Sequence, residues 1–210
     1  MNHIFDFFLE AYHQTPTHQI VLEAIAFVFG IFSVWYAKNE NILVYPTGII
    51  CTVITVYLLY VNQYFGDMMM NFYYSIMSVY GWWNWSRKKE NKSIVPISRT
   101  TLREKQIGVL LFVLTMILTY FVYKGFNYTL EIPNYIDIVT SGIFFTAMWY
   151  MAIKKLENWT LWIIGDLITI PLYAYRGLGM LSLQYIIFTI LAIQGYMAWK
   201  KSINKNHQTV

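Results

Sequence analysis

Seven apolar blocks, each long enough to cross a bilayer, constrain this chain more than any other feature. They cover roughly 20–37, 42–62, 67–86, 106–124, 135–153, 160–176 and 181–200. A transmembrane helix needs about 20 predominantly apolar residues, because each residue adds only about 1.5 Å along the helix axis. Charged residues make up 12% of the chain, about half the fraction typical of soluble domains. The sequence therefore predicts an all-α membrane protein of seven transmembrane helices.

Lysine and arginine are divided unequally between the two sides that seven spans define. Thirteen of the fifteen fall on one side: Lys38, Arg87, Lys88, Lys89, Lys92, Arg99, Arg103, Lys105, Lys154, Lys155, Lys200, Lys201 and Lys205. Only Lys124 and Arg176 fall on the other. Basic residues collect on the cytoplasmic side, so we expect segment 1–19 outside the cytoplasmic membrane and tail 201–210 inside. The basic connection 87–105 has no interleaved aromatic residues, and we expect it to contact anionic lipid headgroups and not nucleic acid.

The chain offers little material for hydrolytic or metal chemistry. Cys51 is the single cysteine and lies within an apolar block, and the four histidines lie near the chain ends. One thiol cannot form an intramolecular disulfide. The sequence also has no HExxH motif, glycine-rich phosphate loop or nucleophile elbow. We therefore expect neither an enzyme nor a metal or cofactor site. For the N-terminus, a short interfacial helix over 4–12 and a disordered end remain alternatives.

The two ends of the chain repeat each other. At an offset of 114 residues the matches are Glu23 with Asp137, Trp35-Tyr36 with Trp149-Tyr150, Gly81 with Gly195, and Trp85 with Trp199. At an offset of 117 they are Lys38-Asn39-Glu40-Asn41 with Lys155-Leu156-Glu157-Asn158, Gly48 with Gly165, and Thr52 with Thr169. The second offset makes Ile49 the counterpart of Asp166.

Each repeat contains three spans, and an odd number of spans ends on the side opposite to its start. One extra helix must therefore return the chain before a second triplet can run in the same direction. We predict two parallel three-helix repeats, 20–86 and 135–200, joined by an inverter helix at 106–124. Transporters built from such repeats bind substrate near the bilayer midplane between the halves.

Several motifs resemble one family of membrane carriers. They are Tyr45-Pro46-Thr47-Gly48, Gly66-Asp67-Met68-Met69-Met70-Asn71-Phe72-Tyr73-Tyr74, Tyr80-Gly81-Trp82-Trp83-Asn84-Trp85, Glu157-Asn158-Trp159-Thr160-Leu161-Trp162, Asp166, Ile170-Pro171-Leu172-Tyr173, Gly177, Gln184-Tyr185 and Gly195-Tyr196. Together they resemble the PnuC family of vitamin transporters, relatives of the SWEET sugar carriers with the same three, one and three helices. The resemblance covers about residues 20–200. It implies facilitated uptake of nicotinamide riboside, an NAD precursor, which phosphorylation then retains inside the cell.

The resemblance leaves two matters open. Thiamine carriers are close cousins, and thiamine is also a flat cation, so a thiamine transporter stays the nearest alternative. A seven-helix receptor is a distant one, because Lys200 lies only at the end of the last span and the repeat has no role there. Some relatives look trimeric, so a homo-oligomer is compatible with the resemblance.

The sixth span carries the strongest candidate site. Trp159, Trp162, Asp166 and Tyr173 fall at i, i+3, i+7 and i+14, close to one helix face. Indole faces attract a cationic ring, and a carboxylate within a span is costly and marks function by default. Interfacial anchoring is the alternative for the Trp residues. A structural hydrogen bond or proton coupling is the alternative for Asp166.

Polar side chains in neighbouring spans complete the candidate set. The third span places Asn71, Tyr74, Ser78 and Trp82 along one face, where they line a path or pack helices. In the seventh span Gln184 and Gln194 point to different faces, and Gln184 fits the family pattern better. Asn158 and Asn41 start their spans and are also candidates for helix caps. Gly48, Gly165, Pro46 and Pro171 suggest either paired hinges or close packing.

Overall fold

The chain folds into seven helices within the residues that a computed structural model describes, which are 15–61, 65–89, 92–93, 95–125, 130–175 and 179–208. The helices are α1 (Thr17–Lys38), α2 (Val44–Val61), α3 (Phe65–Ser86), α4 (Leu102–Gly125), α5 (Ile132–Ala152), α6 (Glu157–Tyr175) and α7 (Gly179–Gln208). Two-residue strands β1 (Lys88–Lys89) and β2 (Lys92–Ser93) pair antiparallel between α3 and α4. The all-α prediction is confirmed.

The helix ends differ from the predicted spans at two places. α4 begins at Leu102, inside the connection predicted as a loop, and α7 continues to Gln208, so most of tail 201–210 is helical. Apolar length alone does not mark these extensions, because both consist largely of polar and charged residues that lie beyond the apolar block. The interfacial helix considered for 4–12 lies outside the described residues.

The outer surface of the bundle is apolar, as a lipid solvent requires. Three of the described helices, α1, α2 and α4, are long and apolar enough by composition to cross a membrane on their own. Large apolar side chains are exposed around the bundle, among them Trp83 (59%), Phe121 (62%) and Leu167 (55%). A water-soluble protein rarely exposes a continuous apolar surface of this kind.

Six helices close into a ring, and α4 packs outside it. Along the chain α1 packs on α2, α2 on α3, α5 on α6, and α6 on α7, while α1 contacts α7 and α3 contacts α5. Every contact in one triplet thus has a counterpart in the other. α4 packs mainly against α5. This arrangement is compatible with two parallel repeats joined by an inverter helix.

The turns between the first two helices of each triplet correct the register of the repeat. Glu40 and Lys154 both adopt left-handed backbone, with φ of 54° and 55°. The backbone N–H of Asn41 donates to the carbonyl of Tyr36 at 2.9 Å, and that of Lys155 donates to Tyr150 at 2.9 Å. Both comparisons give an offset of 114 residues. The offset of 117 was therefore wrong, and the similarity of the two charged tetrapeptides that suggested it is not structural.

The corrected register changes three predicted pairings. The counterpart of Asp166 is Thr52 and not Ile49. Gly48 and Gly165 are not counterparts, and neither are Thr52 and Thr169. Pro46 and Pro171 lie at equivalent positions under neither offset, so paired hinges at the glycines or prolines are excluded. Pro46 lies in the first turn of α2, where a missing N–H costs nothing, whereas Pro171 lies inside α6.

Four buried aromatic residues join the two triplets at the end of the ring that carries these turns. They are Tyr45, Trp85, Trp159 and Trp199, here called the aromatic junction, and none is more than 5% exposed. Tyr45 meets Trp85 edge to face at 88°, and Trp159 meets Trp199 at 88°. The same offset of 114 relates the two pairs.

Hydrogen bonds cross between the triplets in the same symmetrical way. The indole Nε1–H of Trp85 donates to the carbonyl of Met151 at 3.3 Å, and that of Trp199 donates to Ala37 at 3.0 Å. Each triplet therefore contributes one indole donor and one carbonyl acceptor at a helix end. The Trp199 bond is buried and the Trp85 bond is partly buried, so breaking them without replacement costs the desolvation of each group, about 1–3 kcal/mol. The junction holds this end of the ring closed.

The connection between α3 and α4 is fixed to the second triplet. Ser98 forms a bridge beside Lys155, with its N–H donating to Lys154 O and its carbonyl accepting from the N–H of Leu156. Ile97 is buried in the core around the aromatic junction. Lys155 forms an ion pair with Glu104 at 2.8 Å. The basic loop thus ends in a strap across the turn between α5 and α6.

We expect alanine at Gly81 or Gly195 to destabilise the junction. A Cβ at Gly195 would lie 2.6 Å from the Trp159 ring, and one at Gly81 would collide with the Tyr45 ring. Overpacking of this kind costs about 1–3 kcal/mol, so thermal unfolding in detergent should begin several degrees lower. Gly125→Ala is the matched control, because nothing lies within 4 Å of its Cβ position. Equal midpoints for all three variants would contradict this packing.

An ion pair beside the aromatic junction allows a test in which its two charges are exchanged and the stability is measured. Glu40 and Lys154, which are counterparts in the repeat, pair at 2.6 Å, and Lys154 also lies 4.6 Å from the Trp85 ring centroid. Glu40→Lys should cost about 1–3 kcal/mol, because Lys154 is buried but Glu40 is partly solvated. Adding Lys154→Glu should recover part of the lost thermal midpoint. A double variant less stable than Glu40→Lys would refute the symmetrical pairing.

Candidate functional site

One face of α6 is turned into the ring and carries most of the candidate residues. Asn158, Trp159 and Asp166 are each at most 2% exposed, and Trp162 is half-buried. The helix begins at Glu157, whose charge suits the first turn. The Asn158 amide Nδ2 donates to the carbonyl of Lys155 at 2.5 Å. Three residues of the predicted stripe, Trp159, Trp162 and Asp166, thus lie toward the interior of the bundle, with the cap candidate Asn158 beside them.

Four buried polar atoms on this face have no hydrogen-bond partner in the protein. They are Asn158 Oδ1, Trp159 Nε1, Trp162 Nε1 and Asp166 Oδ1. Only two others, in Tyr45 and Thr100, share this property among the described residues. Buried polar groups in native proteins are nearly always paired, and an unpaired one costs about 1–3 kcal/mol, more if it is charged. Their concentration on α6 makes this face the candidate binding surface.

Aromatic rings surround Trp162. Its ring lies 5.3 Å from that of Phe144 at an interplanar angle of 27°, and 6.3 Å from that of Tyr74. Phe144 in turn lies 6.1 Å from Tyr185 at 26°, and Tyr185 lies 5.4 Å from Tyr173. Rings from α3, α5, α6 and α7 thus form one connected aromatic cluster.

The level of Asp166 in the ring is polar in both triplets. Its counterpart Thr52 accepts a hydrogen bond from Ser75 at 2.8 Å. The counterpart of Ser75 is Thr189, which is buried and donates to the carbonyl of Tyr185. The repeat therefore predicts Thr189 beside Asp166, as Ser75 stands beside Thr52. For Asp166 Oδ1, the alternative of a structural hydrogen bond finds no partner in the described residues.

The remaining candidates separate into those near the cluster and those away from it. Tyr74 and Tyr173 belong to the cluster, and Asn71 lies one turn before Tyr74 on α3. Trp159 belongs to the aromatic junction instead, where it packs on Gly195. Trp82, predicted on the same face as Asn71, is 42% exposed on the outside of the bundle.

The two glutamines of α7 occupy different environments. Gln194 is exposed and its Oε1 accepts from Lys38 at 2.9 Å. Gln184 is partly buried and its amide Nε2 lies 3.8 Å from the position of a Cβ at Gly30 on α1. Both glutamines therefore meet α1, Gln194 at an exposed position and Gln184 at a partly buried one. Asn41 accepts from the N–H of Leu43 and serves its turn.

A cavity of about 210 Å³ lies elsewhere, in an apolar groove between α4 and α5 lined by Gly108, Phe112, Ile143 and Tyr150 among others. It contains none of the candidate residues, and its walls give a charged ligand nothing to bind. In the part of the chain that the structure describes, no three His, Cys, Asp or Glu side chains group as a metal site. The aromatic cluster with Asp166 remains the candidate site.

Comparison with known proteins identifies the family. The sequence matches the model of the nicotinamide mononucleotide transporter family over residues 20–201. The chain belongs to this family. Among curated relatives, the nicotinamide riboside transporter PnuC of Escherichia coli (strain K12) is 24% identical over 204 residues, covering 86% of this chain and 85% of that protein. The PnuC protein of Neisseria mucosa is 25% identical over 197 residues, covering 88% and 74%.

The fold of this chain is similar to that of a solved structure. The crystal structure of the vitamin B3 transporter PnuC matches with a TM-score of 0.70 and 24% identity, over 88% of this chain and 82% of that one. The PnuC resemblance inferred from the sequence motifs is thereby confirmed, as is the seven-helix membrane fold.

Sequence reasoning missed two rings of this family member's aromatic cluster, Phe144 and Tyr185. Phenylalanine and tyrosine are abundant throughout the chain, with 14 and 18 copies, and neither residue is costly in a membrane. One signal was available once the register of 114 is known. Phe144 corresponds to Gly30, and Tyr185 corresponds to Asn71, so both positions depart from the repeat.

Proposed function

We propose that this chain is a carrier for nicotinamide riboside, with Trp162 and Asp166 of α6 at the centre of the binding site. The observation that carries the site is the set of unpartnered polar atoms on the inward face of α6, with the aromatic cluster beside it. The relatives in Escherichia coli and Neisseria mucosa are named nicotinamide riboside transporters. The nicotinamide ring of this molecule is flat and permanently cationic, so the same residues suit both its shape and its charge.

Each part of the site has a chemical role in this proposal. The indole of Trp162 presents a face to the cationic ring, a contact worth about 0.5–2 kcal/mol. The Asp166 carboxylate offsets the charge in a medium where water cannot. Asn158, Asn71 and Gln184 supply amides for the ribose hydroxyls and the carboxamide. Tyr74 and Tyr173 extend the aromatic wall, and Trp159 borders the site from the aromatic junction.

Passage requires the junction to open. Trp85 and Trp199 bond across the two triplets, so a path at this end forms only when one triplet rotates against the other. Both crossing bonds then break together because they are related by the repeat. No ion-binding cluster enters this scheme, and the carrier acts by facilitated diffusion, with phosphorylation inside the cell retaining the product.

The distribution of basic residues orients the carrier. Thirteen of fifteen lysines and arginines lie on the side of the aromatic junction, which we assign to the cytoplasm together with the C-terminus. The N-terminus then lies outside, and the multi-pass protein resides in the cytoplasmic membrane. Its partners are the small cationic vitamin and the lipid bilayer, and a homo-oligomer is compatible with the exposed apolar surface.

A thermal-shift panel tests the substrate. Nicotinamide riboside, thiamine, riboflavin and a sugar are added separately to the purified protein in detergent. A ligand that binds the folded form raises the free energy of unfolding by mass action, by about 2.7 kcal/mol when its concentration is one hundred times Kd. The thermal midpoint rises with it. We expect the largest shift with nicotinamide riboside. A larger shift with thiamine would reassign the substrate, and no shift with any cation would refute the proposed site.

A further inference from the structure

Phe144 stands between two other rings in a nearly parallel arrangement. Its plane makes 27° with Trp162 on α6 and 26° with Tyr185 on α7. Aromatic pairs meet either offset-stacked or edge to face, and both pairs of the aromatic junction take the second arrangement, at 88°. Three rings that share an orientation instead form a wall whose faces match a flat guest. The side chain of Phe144 is 8% exposed, so this wall lies inside the bundle.

The Phe144 ring packs against the backbone of α6, which fixes its position. A Cβ at Gly165 would collide with the ring atoms Cε1 and Cδ1, so the ring edge rests against the backbone of α6. Gly165 immediately precedes Asp166. The ring therefore reaches the same helix turn as the carboxylate, and Trp162 lies one turn earlier on the same face.

The fold does not require a ring at this position. In the first triplet Gly30 corresponds to Phe144, Gly48 corresponds to Trp162, and Asn71 corresponds to Tyr185. Each of the three rings of the wall thus has a small or polar residue at the equivalent position of the first triplet. The aromatic junction shows the opposite pattern, with large rings on both sides of the repeat. Packing alone accounts for the junction but not for a wall built in one triplet only.

We propose that Phe144 contacts the substrate and sets the preference of this carrier for a flat aromatic ring. This inference rests on the proposed function, since it assigns a further residue to the same site. The ring of the substrate lies parallel to the wall formed by Trp162, Phe144 and Tyr185, with Asp166 beside its charge.

Paired ligands separate ring recognition from general packing. Nicotinamide riboside has an aromatic cationic ring, whereas its 1,4-dihydro form keeps the ribose and carboxamide but has a neutral, non-aromatic ring. Affinities of both are measured calorimetrically for the parent chain, Phe144→Leu, Phe144→Tyr and Phe145→Leu. Phe145 is the matched control, because its ring stacks on Tyr73 with centroids 3.5 Å apart and makes no ring contact with Trp162 among the described residues.

We expect Phe144→Leu to bind nicotinamide riboside about tenfold more weakly, in line with the loss of one aromatic contact with the substrate ring. Its affinity for the dihydro form should stay within twofold of the parent. Phe144→Tyr and Phe145→Leu should keep the preference of the parent chain. Unchanged affinity for nicotinamide riboside in Phe144→Leu, or an equal loss for both ligands, would overturn the role of Phe144 and leave the proposed function standing. A parent chain that binds neither ligand would overturn both.

Discussion

Asp166→Asn should weaken nicotinamide riboside binding by about thirtyfold or more, while the unliganded protein becomes no less stable. The Asp166 side chain is 2% exposed and its Oδ1 has no partner in the protein. Removing one member of a desolvated charge pair costs about 2–5 kcal/mol of binding, and 2 kcal/mol corresponds to about thirtyfold. Without ligand, however, a carboxylate within a span is a cost of about 2.5–3.5 kcal/mol, which the amide relieves.

The measurement combines calorimetric affinity with the thermal midpoint in detergent. Asp137→Asn is the matched control, because this acid of α5 accepts a hydrogen bond from Tyr123 of α4 at 3.0 Å, outside the ring of six helices. Its binding should stay within twofold of the parent. If Asp166→Asn bound normally and lost stability, the carboxylate would be a structural group and not a contact of the substrate.

Trp162→Ala should reduce affinity by about thirtyfold as well, and Trp162→Phe by only a few fold. Tryptophan is the best aromatic partner for a cation, and a desolvated contact is worth about 2 kcal/mol or more. Phenylalanine keeps a face for the ring but has the weaker attraction. Alanine also leaves Phe144 and Tyr74 without their neighbour, so folding must be checked by size-exclusion elution and the thermal midpoint.

An exposed tryptophan supplies the comparison for this series. Trp83 is 59% exposed on the outside of α3, so Trp83→Ala removes an indole without changing the interior of the helix bundle. We expect its affinity to match the parent chain. Similar losses for Trp83→Ala and Trp162→Ala would mean that the indoles act through anchoring in the membrane, the alternative left open by the sequence.

The sequence predicted the helices well because the bilayer imposes a length and a polarity on each of them. All seven predicted spans overlap a helix of the structure. The predicted helix ends were wrong where the helices extend beyond the apolar core of the bilayer. The last turns of α7 beyond Lys200 and the first turn of α4 before Gln106 carry polar residues, so hydropathy does not extend the helices that far.

The sequence predicts those site residues that are energetically unfavourable within a membrane span. Asp166 stands out because a carboxylate in a span requires a reason, and Trp162 lies on its helix face. Phe144 imposes no such cost and was invisible. The register of the repeat was also misjudged near Glu40, because similar charged residues outweighed a backbone turn that only coordinates reveal. Trp159 has the spacing of a site residue but packs in the aromatic junction, since spacing defines a face and not a depth.

Uptake of labelled nicotinamide riboside into liposomes containing the purified protein tests the central claim most directly. With unlabelled riboside inside, we expect saturable accumulation of labelled riboside that exceeds the accumulation of labelled thiamine under the same conditions. Asp166→Asn and Trp162→Ala should reduce this accumulation strongly. Label that enters no faster than in protein-free liposomes, or that enters equally with both variants, would contradict a carrier whose site lies on the inward face of α6.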